Sequence, residues 1–296
     1  MPQATVTRIT LSDRPVDVLR LELAHPDVQG NKYYKLKYNL EKAVAEGHRS
    51  VLTFGGVFSN HVYAVAVACS RLGLKAICIL RGEDDPDNPT LQFVRKLGMT
   101  TLFISREMYR LRNMSAFLEE LAAQHGKVYV LPEGGTNAMA VQGCAEILQG
   151  LETSYDHIFC AVGTGGTLAG LISTPGLTAS ITGVAVIKGD KDTLTPAVKA
   201  LLTSEAVQVP WRIVFDARFG GYGKYHPELH AYLDQFEAQW GIRPDPIYTG
   251  KMFFSAEEML RKGQITGNRI LCIHTGGLQG WDGWYYRYSN KYQSPE

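Results

Sequence analysis

The chain of 296 residues has almost no net charge: 30 Lys and Arg against 29 Asp and Glu leave +1. Without a basic field it has no grip on the phosphates of nucleic acid, and without an acidic field it does not mimic that polymer. An organised cysteine set is missing too. Cys69, Cys78, Cys144, Cys160 and Cys272 form no C-x-x-C and no metal-ligand spacing, and an odd number in apolar runs does not suggest a disulfide framework. Nor is there a stretch of about 20 consecutive apolar residues able to cross a membrane. Residues 50–70 and 158–187 carry no Asp, Glu, Lys or Arg, but FGG and SNH interrupt the first and GTGGT and STPG the second. The opening MPQATVTRITLSDRPVDV has no signal-like apolar segment, which leads us to expect a cytoplasmic protein. Repeats, low-complexity tracts, heptads and long Pro/Ser linkers are also lacking, so domain borders must be inferred from the order of elements.

Glycine is what the chain has in excess, 30 of 296 residues against about 7% in average usage. Apolar β-branched runs at residues 51–54, 76–80, 101–104, 128–131, 158–162, 184–187, 213–215 and 270–273 predict strands. Helical patterns lie between them at 33–46, 60–72, 90–97, 115–125, 138–151, 196–202, 228–240 and 255–262. Strands alternating with helices predict parallel sheets in an α/β architecture. The glycines cluster at strand-to-helix corners: Gly55-Gly56, Gly134-Gly135, Gly163-Thr164-Gly165-Gly166-Thr167, Gly220-Gly221 and Gly276-Gly277. In open α/β sheets, ligands bind beyond the carboxyl ends of strands, where such corners gather.

The 163–167 run is the strongest anion candidate, because it follows a strand and opens a short helix with free N–H groups. It does not match the dinucleotide fingerprint, since Leu168 stands where the third glycine belongs, and no Gly-Lys pair has P-loop spacing. A plain buried turn is the alternative. Lys32 falls in the first turn of a predicted helix, where positive dipole and unpaired N–H groups favour the neutral amine that forms Schiff bases; a solvated surface lysine is the bland alternative. Ser59 precedes the apolar helix beginning Asn60-His61, so it reads either as an N-cap or as a ligand for a substrate carboxylate. His226 and His230 are spaced i,i+4, but Pro227 puts His226 ahead of its helix and no H-E-x-x-H exists, so no metal site is expected. Trp281, Trp284, Tyr285 and Tyr286 either line a pocket or cap a core.

Five motifs occur in order. They are Gly30-Asn31-Lys32-x-x-Lys35-Leu36, Gly55-Gly56-x-x-Ser59-Asn60, Gly163-Thr164-Gly165-Gly166-Thr167-x-Ala169-Gly170, Asp245-Pro246-x-Tyr248-x-Gly250-Lys251 and His274-Thr275-Gly276-Gly277. Together they resemble the 1-aminocyclopropane-1-carboxylate deaminase/D-cysteine desulfhydrase family of pyridoxal-phosphate enzymes, over nearly the whole chain. That resemblance implies the two-lobed tryptophan-synthase-β-like fold (fold type II), with parallel open sheets flanked by helices. Its large cofactor-binding domain would comprise residues 1–44 and 137–296, with a small α/β domain at 45–136, and the family resemblance implies a homodimer.

The resemblance also implies roles. Lys32 would carry pyridoxal 5'-phosphate covalently and shuttle the Cα proton; Lys35 would help hold the cofactor, Asn60 would contact its ring oxygen, and Gly163, Thr164, Gly165, Gly166 and Thr167 would take its phosphate. Ser59, Asn60 and His61 would bind the carboxylate of a small amino-acid substrate. Tyr248 and Tyr222 would be the catalytic tyrosines, with Tyr225 as the alternative to Tyr222.

The deaminase type carries a glutamate after the D-P-x-Y tyrosine and a leucine within H-x-G-G, where this chain has Thr249 and Thr275. A threonine hydroxyl facing the pyridine nitrogen leaves the ring largely unprotonated and a weaker electron sink. Such a sink suffices for β-elimination of a good leaving group, so the expected reaction is D-cysteine to pyruvate, hydrosulfide and ammonia. The alternatives are 1-aminocyclopropane-1-carboxylate deamination and, from another class, a non-catalytic two-lobed binding protein. His61 replaces a glutamine common in the deaminases, Tyr33-Tyr34 replaces Thr-Arg, and the entry segment and the tail after Gly277 also depart from the pattern.

Overall fold

The computed structural model describes residues 5–25, 28–187, 192–203, 209–216 and 218–289. In chain order the elements are β1 (Thr5–Leu11), β2 (Arg14–Arg20), α1 (Asn31–Ala45), β3 (Ser50–Gly56), α2 (Asn60–Leu72), β4 (Lys75–Arg81), α3 (Pro89–Lys96) and β5 (Thr100–Ile104). Next come α4 (Arg106–Arg110), α5 (Ser115–His125), β6 (Val128–Leu131), α6 (Ala138–Cys144), β7 (His157–Val162), α7 (Gly166–Ile172), β8 (Ser180–Ala185) and α8 (Leu194–Leu201). The last are β9 (Trp211–Phe215), α9 (Pro227–Trp240), α10 (Thr249–Arg261), β10 (Ile270–His274) and α11 (Gly280–Tyr288).

Two sheets form. One has four parallel strands in the order β5-β4-β3-β6; the other has six, β1-β2-β10-β7-β8-β9, parallel except for the antiparallel β1–β2 pair. Why the central strands read as continuous apolar runs is visible in their alternation. In β4, Ala76, Cys78 and Leu80 enter one core and Ile77 and Ile79 another; in β7, Ile158, Cys160 and Val162 face one core and Phe159 and Ala161 the other. A strand covered by helices on both faces has no solvent side to mark with polar residues. Each sheet therefore separates two cores, the α/β class expected of this chain.

Several element boundaries differ from the sequence reading. The β1–β2 hairpin, turned through Ser12 and Asp13 at positive φ (45° and 61°), was absent from it. Its polar residues Arg8, Arg14 and Asp17 hide the strand pattern, yet Arg8 pairs with Asp17 at 2.8 Å across the ladder. Strand β8 starts at Ser180 rather than Val184, α6 ends at Cys144 rather than at 151, and α10 begins at Thr249, ahead of the expected Ser255. The early start of α10 has a cause. Buried Asp245 accepts hydrogen bonds from the amides of Ile247, Tyr248 and Thr249 (2.9, 2.7 and 2.8 Å), satisfying donors that a helix start leaves unpaired.

Candidate active site

A cleft of about 730 Å³ opens where the carboxyl ends of β3, β7 and β10 and the start of α1 converge, bounded by residues of both sheets and their helices. At the floor, Gly30 (φ 68°) caps α1 without a side chain, because a Cβ there would overlap the Thr275 carbonyl at the end of β10. The Asn31 amide donates to that carbonyl at 3.1 Å, so helix α1 is stitched directly to strand β10. Asn31 then spreads its side chain: Nδ2 donates to Thr167 Oγ1 at 2.8 Å, and Oδ1 accepts from Lys32 Nζ at 3.0 Å. Lys32 reaches the cleft, and burial lowers its pKa, opposed mainly by the influence of Cys144 and Asp245. The neutral amine is favoured, as the helix position predicted, although desolvation rather than the helix dipole is the leading cause.

One turn on, Lys35 is buried beneath the 163–167 loop. Its Nζ contacts the Gly134 carbonyl, Thr136 Oγ1 (2.7 Å) and Thr164 Oγ1 (3.4 Å), all neutral oxygens. Burial, followed by repulsion from Lys32, brings its pKa down to about 7. No ion pair is made by Lys35 among the described residues. The loop above it needs its glycines: a Cβ on Gly163 would stand 3.0 Å from the Tyr248 ring, and one on Gly165 (φ 86°) 2.8 Å from Val198. Gly165 and Gly166 start α7, and Thr167 is anchored by Asn31.

On the opposite wall, Ser59 is the N-cap of α2, its Oγ accepting from the amides of His61 and Val62 at 3.2 and 3.4 Å. Capping uses the oxygen's lone pairs and leaves its proton for the cleft, so the two readings of this hydroxyl coexist. Asn60 lines the cleft beside Gly277, whose missing Cβ makes room for the Asn60 amide. The carboxylate role expected of His61 needs correction. Thr53 gives its only proton to the Leu131 carbonyl (2.9 Å), so His61 Nε2, 2.7 Å from Thr53 Oγ1, must be the protonated nitrogen. Burial, with Lys35 and Lys32 nearby, holds the ring's pKa well below 6.5, and its Nδ1 is a bare acceptor. The ring has no donor left for a carboxylate.

Tyr222 and Tyr248 meet over the cleft with phenol oxygens 3.2 Å apart and rings edge to face at 5.7 Å. Burial raises both pKa values, Tyr248's well above 10, so both phenols keep their protons. Tyr225 instead packs against Trp284 and Tyr288, with ring centroids 6.0 and 5.7 Å away, and is outside the cleft lining that includes Tyr222. The two threonines also part company. Thr275 lines the cleft, whereas fully buried Thr249 turns its hydroxyl into Asp245 Oδ2 at 2.6 Å. Of the two, Thr275 alone borders the cleft. His226 and His230 lie at and within the start of α9, and no metal-binding cluster exists among the described residues.

Sequence reasoning gave no role to Asn31, Glu133 or Arg287, each of which borders the cleft. Asn31 could have been found, since it sits inside the first of the five motifs; Arg287 lies in the aromatic tail, where no spacing marks it. Charge is lopsided here although the chain is nearly neutral. Among the described lining residues, Lys32, Lys35, Arg81, Arg106 and Arg287 face a single carboxylate, Glu133. That carboxylate is already occupied by Arg112 at 2.8 Å and by the Tyr109 hydroxyl at 2.8 Å. A buried lysine under a glycine turn, a second desolvated lysine and a surplus of basic side chains fit a phosphorylated aldehyde and an amino-acid carboxylate.

Comparison with known proteins bears on that fit. Residues 14–276 match the family model described as pyridoxal-phosphate dependent enzyme. A putative 1-aminocyclopropane-1-carboxylate deaminase of Pyrococcus horikoshii is 33% identical over 278 residues, covering 90% of this chain and 85% of that protein. The mitochondrial bifunctional D-cysteine desulfhydrase/1-aminocyclopropane-1-carboxylate deaminase of Arabidopsis thaliana is 30% identical, covering 86% and 70%. Among solved structures, one described as an ACC deaminase homologue superposes with a TM-score of 0.81 at 30% identity, covering 98% of this chain and 92% of that one.

Proposed function

The chain belongs to the pyridoxal-phosphate-dependent enzymes, within the 1-aminocyclopropane-1-carboxylate deaminase/D-cysteine desulfhydrase family, and from that premise we propose that it eliminates the β-substituent of a D-amino acid, converting D-cysteine to pyruvate, hydrosulfide and ammonia. Membership in an enzyme family sets aside the non-catalytic binding protein. The observation that carries the choice of reaction is that no carboxylate among the described cleft-lining residues stands free for a ring nitrogen beside Thr275. Glu133 is the sole carboxylate among the described lining residues and is spent on Arg112 and Tyr109, while Asp245 gives its oxygens to amides and to Thr249. A hydroxyl at that place supports an unprotonated ring, and with it a reaction whose leaving group departs readily.

Pyridoxal phosphate, when bound, supplies the sink for the electron pair left at Cα on proton loss. Lys32 would hold it covalently, with Lys35 and residues 163–167 at its phosphate, Asn60 at its ring oxygen and Thr275 at its ring nitrogen. The Ser59 hydroxyl and the Asn60 amide at the start of α2 would take the substrate carboxylate, favoured by the helix dipole. Lys32 Nζ, whose pKa burial lowers, removes the Cα proton. The carbon–sulfur bond then breaks with its electron pair on sulfur. Tyr222, which accepts a hydrogen bond from Tyr248 and keeps its own proton free, donates to the departing sulfur. Water completes hydrolysis of the eliminated product to pyruvate and ammonia.

The same reading assigns residues 1–44 and 137–296 to the large lobe and 45–136 to the small one, and places the enzyme in the cytoplasm as a homodimer. No described helix is long and apolar enough to cross a membrane. Deamination of 1-aminocyclopropane-1-carboxylate is the second reading, favoured by the names of the relatives. Sulfide release from D-cysteine by the holoenzyme, beside a Lys32→Ala variant, tests the proposal: the variant is expected to lose both turnover and the visible absorption of the lysine-bound cofactor. A Lys32→Ala protein that keeps them would overturn it.

A further inference from the structure

Lys251, within the first turn of α10, is 4% exposed and has no ion pair among the described residues. A buried ammonium near the positive end of a helix is costly, and a methionine would fill the space without that cost. Burial brings its pKa down to about 8, opposed by Asp245 and Asp216. Its Nζ instead grips two backbone carbonyls: Gly221 at close range and Val186, just past the end of β8, at 3.4 Å.

The Gly221 contact matters because the adjacent residue is Tyr222. Gly220, Gly221 and Gly223 all have positive φ (67°, 97° and 60°), so the segment around it is rich in residues whose backbone no side chain restrains. Its carbonyls are held from outside, Gly221 by Lys251 and Gly223 by the Tyr288 hydroxyl at 2.9 Å, and Tyr222 lies between them. The Tyr248 phenol, 3.2 Å from Tyr222, comes from the same Asp245–Lys251 motif. One short segment thus supplies one tyrosine and the clamp on the other.

We propose that Lys251 is a positioning residue: by holding the Gly221 carbonyl it sets the Tyr222 phenol against Tyr248, and so governs departure of leaving groups that need a proton. This rests on the elimination reading above, with Tyr222 as the acid. A thiolate benefits from protonation as it leaves; chloride does not. The test compares D-cysteine with β-chloro-D-alanine in the holoenzyme and in Lys251→Met and Lys251→Gln variants, the glutamine restoring a donor.

For Lys251→Met, kcat on D-cysteine is expected to fall about tenfold more than kcat on β-chloro-D-alanine, with KM changed less than about twofold, as displacement of a general acid requires. Lys251→Gln recovers part of that difference, and Lys251→Met adds little in a Tyr222→Phe background. Hydrogen–deuterium exchange of the cofactor-free protein should quicken over residues 218–225 in Lys251→Met. Equal losses on both substrates, full additivity with Tyr222→Phe, or unchanged exchange would each overturn the proposal. Should Lys251→Met not fold, the glutamine variant carries the same comparisons. A wild-type enzyme that eliminates from neither substrate refutes the reaction itself, while the exchange measurement still reads the clamp.

Discussion

Residue by residue, the legible part of the site was the part whose chemistry follows from position in the chain. Lys32 opening a helix after Gly30 and Ser59 capping another are local facts, and the structure places both side chains on one cleft. What was not legible depends on distant partners. Nothing in the sequence says that Thr53 and Leu131 fix the tautomer of His61, or that Asp245 takes the Thr249 hydroxyl. The same division frames two predictions. Tyr222→Phe is expected to lower D-cysteine turnover about 100-fold, the lower range for general acid catalysis, whereas Tyr225→Phe, in the aromatic cluster, should change it less than about threefold; steady-state kinetics decides. Behind Thr275, buried His274 and Glu22 stand 3.0 Å apart, with Arg20 on the other side of the carboxylate. Burial pushes Glu22 up, but His274 and Arg20 outweigh it and hold it below 4.5; burial pushes His274 down, but Glu22 outweighs it and holds it above 6.5. The pair's stabilisation is therefore complete between about pH 4.5 and 6.5. It is lost as pH falls through Glu22's depressed value and as pH rises through His274's raised one. The difference in Tm between wild type and His274→Gln should be largest in that window and shrink on both sides; a difference independent of pH would contradict it.

At the scale of elements, strands buried on both faces, β3, β4, β7 and β10, were readable because alternation disappears there, and the edge strands β5 and β6 also fall where apolar runs lie. The β1–β2 hairpin was not, because its outer strand is an edge with polar residues on its open face and the turn uses Ser12 and Asp13 instead of glycine. The junction of α1 with β10 is the element contact on which the site most depends. Gly30→Ala places a methyl group against a backbone carbonyl that cannot give way, at a φ that alanine disfavours. It is expected to destabilise by about 2–4 kcal/mol, as strain added to a lost close approach. Because Lys32 and Thr275 flank that junction, visible absorption of the cofactor should weaken in parallel. Denaturant unfolding together with the absorption spectrum checks this, and an unaltered spectrum in a destabilised protein would separate the junction from the site.

For the whole molecule, near-neutrality conceals an uneven distribution: three arginines, two lysines and one occupied carboxylate border a single cleft among the described residues. Two sheets whose strands end on that cleft explain why the glycine excess sits at strand ends, where backbones approach ligands and each other. Motif order was enough to anticipate two lobes, while the individual weight of each side chain in the cleft was not readable without the fold. We propose that an unprotonated ring over Thr275 serves elimination better than ring opening, a chemical preference. Its most direct test incubates the holoenzyme with D-cysteine and, separately, with 1-aminocyclopropane-1-carboxylate at equal concentrations, and quantifies keto acid and sulfide together. We expect pyruvate and sulfide in equal amounts from D-cysteine and at least about tenfold slower 2-oxobutyrate formation, a difference of roughly 1.4 kcal/mol in barrier; 2-oxobutyrate formed faster, with no sulfide from D-cysteine, would contradict it.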